Sequence, residues 1–136
     1  LHLMFELIWR YRFFYRDLND LLSRNRKLEL HFKLILAHKI KVATQLCEDL
    51  RSEQSLEASD MEVAAMATNM VVVATYWLSY EYVRNPRKYS EQQSMSDALA
   101  RGCYQVLSLI GPYLRNETHL LFRKLSEEYV TKLKKD

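Results

Sequence analysis

Residues that break regular structure are scarce in this chain: of 136 residues, two are glycine and two are proline. A β-rich domain of this size draws on many more turn residues, because its tight turns need glycine's positive φ and proline's fixed φ. A helical bundle needs few, so the scarcity points to an all-α protein. Cysteine is equally sparse. Cys47 and Cys103 both fall on apolar helical stripes, which reads more simply as small buried hydrophobes than as redox or metal chemistry. An excess of one charge is also lacking, with 20 Lys and Arg against 17 Asp and Glu and a net charge of +3. The basic residues are scattered among the acids, unlike the clustered footprint of a nucleic-acid surface. The short Arg24-Asn25-Arg26-Lys27 cluster and the lysines at 132, 134 and 135 read as helix-end charges and a solvated tail.

No uninterrupted apolar run approaches the roughly 20 residues of a membrane-spanning helix. The most apolar stretch, 70–78, contains Thr75 and is followed by Glu81. With no signal-type leader either, the expectation is a soluble cytoplasmic protein without a membrane partner. Chemistry-bearing motifs are absent as well. The histidines, His2, His31, His38 and His119, show no Glu-x-x-His or His-Glu-x-x-His spacing, and His31 and His38 lie two helical turns apart. There is no glycine-rich phosphate loop, no Gly-x-Ser-x-Gly elbow and no nucleophile with an evident base beside it. The expectation is a protein that is not an enzyme and holds no metal or cofactor.

What is present is helical periodicity in about five segments. Residues 1–22 enter it at once, with neither an initiating methionine nor a capping residue, along the stripe Met4, Ile8, Tyr11, Tyr15, Leu18 and Leu22. That uncapped start raises the expectation of further sequence upstream. Asn25 caps a second helix over about 26–51, with the stripe Leu28, Phe32, Ile35, Leu36, Ala43, Leu46, Cys47 and Leu50. Ser59 and Glu62 form a capping box at the head of a third helix that runs to about 84 and ends at Asn85-Pro86. Its apolar face is wide (Val63, Met66, Ala67, Met70, Val71, Ala74, Trp77, Leu78), as a helix buried on two sides requires. A loop over 86–94 leads to a fourth helix, capped by Ser94 or Ser96, with Leu99, Cys103, Val106, Leu107, Ile110 and Leu114 inward. Gly111-Pro112 should kink or tighten its last turn. Asn116 caps a fifth helix along Leu121, Phe122, Leu125, Tyr129 and Leu133.

Three features remain beyond this scaffold. The run from Trp9 to Leu18 is dense in aromatics and arginines; its face with Arg12 and Arg16 suits a ligand carboxylate or another domain, or simply arginine stems packed on rings. Lys39 lies within the second helix's apolar stripe, either as a buried counter-charge in a pocket or as a side chain snorkelling to the rim. The third helix's mildly polar face (Thr68, Asn69, Thr75, Tyr76, Ser79) offers the sparse polar contacts of an apolar cavity, or small residues for close packing.

The run Met4-Phe5-Glu6-Leu7-Ile8-Trp9-Arg10-Tyr11-Arg12-Phe13-Phe14-Tyr15-Arg16-Asp17-Leu18 resembles the start of the regulatory domain in one branch of TetR-type bacterial regulators. Val73-Ala74-Thr75-Tyr76-Trp77-Leu78-Ser79 and Leu107-Ser108-Leu109-Ile110-Gly111-Pro112-Tyr113-Leu114 are similar to two further segments of that branch, in the same order. The resemblance extends to about Leu114; the segment from Asn116 onward lies outside it. It implies that residues 1–136 form an effector-binding and dimerisation domain of a helical bundle. It also implies an N-terminal helix-turn-helix domain, absent from this sequence, through which alone operator DNA would be bound. The implied partners are a second copy of the chain, in a homodimer, and a small apolar or amphipathic effector. Pocket residues expected on this basis are Trp9, Phe13, Phe32, Lys39, Met70 and Tyr76. Expected dimer contacts, on the third and fourth helices, are Thr75, Ser79, Tyr82, Leu99, Val106, Leu107 and Ile110. Effector binding would shift the relative placement of two DNA-reading heads. A helical protein-interaction module without a ligand is the alternative from a different class.

Overall fold

In the computed structural model the backbone is described for residues 2–86 and 92–133, and side chains for 3–86 and 96–129. The order is α1 (His2–Arg10), α2 (Arg12–Arg16), α3 (Leu18–Arg24), α4 (Arg26–Ser52), α5 (Asp60–Arg84), α6 (Gln92–Ile110), a 3-10 turn (Gly111–Tyr113) and α7 (Asn116–Leu133). Among the described residues there is no strand, only one bridge between Leu56 and Leu114. The all-α bundle expected from the sequence is therefore the observed architecture.

The difference in helix number arises in the first segment, where one expected helix is three. Tyr11 (φ −106°, ψ 28°) and Asp17 (φ −103°, ψ 17°) leave the helical basin for the bridge region and interrupt it. Neither is glycine or proline, so nothing in the composition marks the breaks. Within the segment Phe5, Ile8, Trp9 and Leu18 are buried, whereas Tyr11, expected inside, is exposed at the first break. Beside the second break, the Tyr15 carbonyl accepts a hydrogen bond from Ser79 Oγ on α5 at 3.2 Å.

Two caps form as expected. Asn25 Oδ1 accepts from the Leu28 amide at 3.0 Å, and Ser59 and Glu62 make the reciprocal capping box. Other caps differ. Ser94 and Ser96 lie inside α6, which starts at Gln92, and residues 87–91 of the expected loop lie outside the described residues. Asn116 is the first residue of α7 and takes a left-handed φ of 53°, a conformation asparagine tolerates.

The longest two helices, α4 and α5, form a hairpin. Its closed end is held by Arg51, which reaches Asp60 at 2.7 Å and the Ala58 carbonyl at 3.2 Å. The hairpin loop is tied to the turn after α6 by backbone bonds from Glu57 to Tyr113 and from Arg115 to Ser55, both 2.9 Å. With α4 on one side of α5 and α6 on the other, α5 is the central helix, and all eight apolar residues assigned inward from its periodicity are buried. By length and composition α5 would also pass as a membrane span; half of its most apolar stretch is buried inside the bundle, as a central helix requires.

Ile35 and Leu46 on α4, and Leu121 and Leu125 on α7, are exposed rather than inward. Apolar residues at the edge of a stripe satisfy the period equally well on either side, and here the neighbouring helix covers the other side. Leu133 lies outside the described side chains. Both glycines serve close approach rather than turns. A Cβ on Gly102 would lie 2.7 Å from Trp77 and 2.8 Å from Phe5, and one on Gly111 would lie 2.6 Å from Phe122.

Candidate functional site

Two places stand out from ordinary core packing, on opposite sides of α5. The first is the seam where α2 meets the α4–α5 hairpin. Here Phe14, Tyr15 and Phe32 form an aromatic cluster, with centroids 5.5 Å apart for Phe14–Tyr15, 6.0 Å for Phe14–Phe32 and 6.3 Å for Tyr15–Phe32. Lys39, two turns along α4 from Phe32, places its Nζ 5.7 Å from the Tyr15 ring centroid. The ammonium does not snorkel: it is covered, and no hydrogen-bond partner reaches it. Burial lowers its pKa below the usual lysine range and raises that of Tyr15 above the usual tyrosine range.

The second place is an open groove of about 410 Å³ between α5 and α6, lined by Val72, Val73, Tyr76, Trp77, Tyr80, Arg84, Arg101 and Gln105. Val72, Tyr76 and Tyr80 follow one another at four-residue intervals, so they form a ridge on the outward face of α5. The groove's edge carries a buried ion pair. Glu81 is 5% exposed and accepts hydrogen bonds from Arg101 Nε at 3.2 Å and Nη2 at 2.6 Å, with Arg84 at 3.5 Å. Trp77 Nε1 donates to the Ala98 carbonyl at 2.7 Å and fixes the ring between the two helices.

The expected pocket residues do not converge. Phe32 and Lys39 meet at the α2–α4–α5 seam. Met70 and Trp9 are core residues. Phe13 is exposed, with the guanidinium groups of Arg12 (4.7 Å) and Arg16 (5.6 Å) over its ring, while Arg12 also covers Trp9 at 5.3 Å. Arg16 pairs with its neighbour Asp17. Tyr76 faces the groove on the other side of α5.

Most of the expected dimer contacts lie inside the protomer. Thr75, Leu99, Val106 and Ile110 are buried. Ser79 bonds the Tyr15 carbonyl, and Tyr82 lies 5.7 Å from the Arg16 guanidinium, so both face α2. Leu107, like Ser79 and Tyr82, is half-buried. The residues that periodicity passed over are Val72, Tyr80, Arg84, Arg101 and Gln105. Glu81 was the available signal: a carboxylate in line with α5's apolar face needs a cation, and Arg101 stands twenty residues on.

Both thiols are buried, which raises their pKa values, and Cys103 shares a hydrogen bond with Tyr129; neither is set up as a reactive thiolate. Among the described residues no three metal-ligating side chains cluster.

A family model described as TetR, bacterial transcriptional repressor, matches residues 1–122. Among solved structures, a TetR-family transcriptional regulator from Marinobacter aquaeolei VT8 superposes with a TM-score of 0.75 at 26% identity. The match covers 92% of this chain and 57% of that one. No curated protein matches the chain. With nine-tenths of its length inside the family model and the bundle of a family regulator, the chain belongs to the TetR family of transcriptional regulators.

Proposed function

We propose that this chain is the effector-binding and dimerising body of a ligand-responsive TetR-family regulator, acting in the cytoplasm on operator DNA read by a separate helix-turn-helix domain that precedes it. Family membership and the 57% coverage of the related regulator support a further domain of that kind. The observation that carries the reading is the division of α5: one face carries the exposed ridge and groove shared with α6, and the other carries the polar-in-apolar seam against α2 and α4. A central helix with a pairing face on one side and a ligand wall on the other transmits binding as a change in how two copies sit together.

The pairing face is accordingly Val72, Tyr76 and Tyr80 with Arg101 and Gln105, in place of the interior residues first expected. Two aromatic residues, an arginine and an aliphatic side chain at the centre of a patch match the composition of protein interface cores. Val72→Glu with Tyr76→Glu should weaken self-association on the order of a hundredfold, because two carboxylates would be desolvated on pairing. Both side chains are open in the protomer, so circular dichroism should show unchanged helicity.

Effector binding is tested by melting the chain against a panel of medium-chain acids, aromatic acids, alcohols and amines. A ligand at a hundred times its Kd stabilises the folded state by about 2.7 kcal/mol, enough to move the melting temperature by several degrees. A flat response across the panel would remove the effector part of the reading.

A further inference from the structure

Among the described residues two side-chain polar atoms are both buried and without a hydrogen-bond partner, Lys39 Nζ and Thr75 Oγ1. A buried ammonium with no counter-charge is among the least favourable groups a fold can hold. Burial of a hydroxyl without a partner is unfavourable for the same reason, and in a helix it is easily avoided. The back-bond to the helix is available to threonine, as exposed Thr68 makes it to the Ala64 carbonyl at 2.9 Å, but the Thr75 hydroxyl makes no such bond. Thr75 is 1% exposed, so bulk solvent does not reach it.

The two orphans lie at the same level of one hairpin. Ala43 of α4 packs in a cluster with Ala67 and Val71 of α5. One turn further from the closed end, the positions are Lys39 on α4 and Thr75 on α5. Tyr15 links them again: its ring lies under Lys39 Nζ, and its carbonyl is held by Ser79, one turn beyond Thr75 on the same face. The surroundings are aromatic, with Phe14 and Phe32 completing the ring cluster, and Leu36 and Ile40 pack on the neighbouring Ala43–Ala67–Val71 cluster.

We propose that the α2–α4–α5 seam takes a monocarboxylate with an aliphatic or aromatic body, its carboxylate accepting hydrogen bonds from Lys39 Nζ and Thr75 Oγ while its body lies against Phe14, Tyr15 and Phe32. One cation and one neutral donor match a single negative charge. This inference rests on the reading of the chain as an effector-binding body, and it names the ligand's chemical class.

The test is isothermal titration of octanoate and octan-1-ol, which share a chain length and differ in charge, into the native chain and into Lys39→Met and Thr75→Val. The native chain should bind octanoate about tenfold or more tightly than the alcohol, the scale of a charge-assisted hydrogen bond. Lys39→Met should abolish that preference while still binding the alcohol, and Thr75→Val should reduce octanoate affinity severalfold. Ligand-free Lys39→Met should melt at or above the native temperature, since it removes an unpaired buried charge. Equal affinities in the native chain, or a preference that survives Lys39→Met, would overturn the carboxylate assignment and leave the effector reading standing. Binding of neither probe would also overturn it, and the effector reading would then be decided by the wider panel of neutral and cationic ligands.

Discussion

Phe5→Ala is expected to cost about 3–5 kcal/mol of folding stability, the range for emptying a fully buried aromatic site. Phe5 is 0% exposed and lies over the Cα of Gly102, with Trp77 against the same point. It is one of the α1 side chains that join the first segment to the central α5–α6 pair. The cavity cannot close by simple collapse, because Trp77 is pinned by its hydrogen bond to Ala98. Total stabilities of domains are about 5–15 kcal/mol, so this single change removes a large share. Urea unfolding should show the midpoint falling with the slope retained. A loss below about 1 kcal/mol would mean that α1 is not part of the cooperative core.

Glu81→Leu should cost about 3 kcal/mol, the lower end of the range for breaking a buried ion pair, because the abandoned Arg101 side chain is 31% exposed and partly reaches water. The carboxylate holds Arg101 through two hydrogen bonds and draws in Arg84, so its loss also frees the edge of the α5–α6 groove. The double variant Glu81→Leu/Arg101→Met should recover most of that loss, since replacing both partners by apolar groups of similar volume leaves no unpaired charge. Chemical denaturation of the two single variants and the double provides the cycle. If the double variant is as unstable as Glu81→Leu alone, the pair does not act as a unit.

Much of the scaffold is legible in the sequence, and the particular helices show why. The α5 helix is long, capped by Ser59 and Glu62, and free of breakers, so its 3.6-residue period carries every inward residue correctly from Val63 to Leu78. In the first segment the same method leaves Phe5 and Trp9 off the inward stripe and puts Tyr11 on it, and the breaks at Tyr11 and Asp17 have no glycine or proline to mark them.

The site is less legible, for a different reason. Periodicity ranks residues by face, but α5 is covered on two sides and open on a third. Periodicity reads Leu99, Val106 and Ile110 as inward, as they are; the resemblance offered them as dimer contacts, and Val72 and Tyr80 escape notice on the ridge. Lys39 is visible as an anomaly from the sequence alone. Whether its ammonium reaches water depends on Tyr15, which only the fold brings over it.

The claim on which the rest depends is that two copies pair through the α5–α6 face. Sedimentation equilibrium of the chain at micromolar concentration tests it directly. The account predicts a species of twice 16.3 kDa for the native chain, and a species of 16.3 kDa with unchanged helicity for Val72→Glu/Tyr76→Glu. A native chain that sediments as a monomer, or a double variant that remains a dimer, would contradict it.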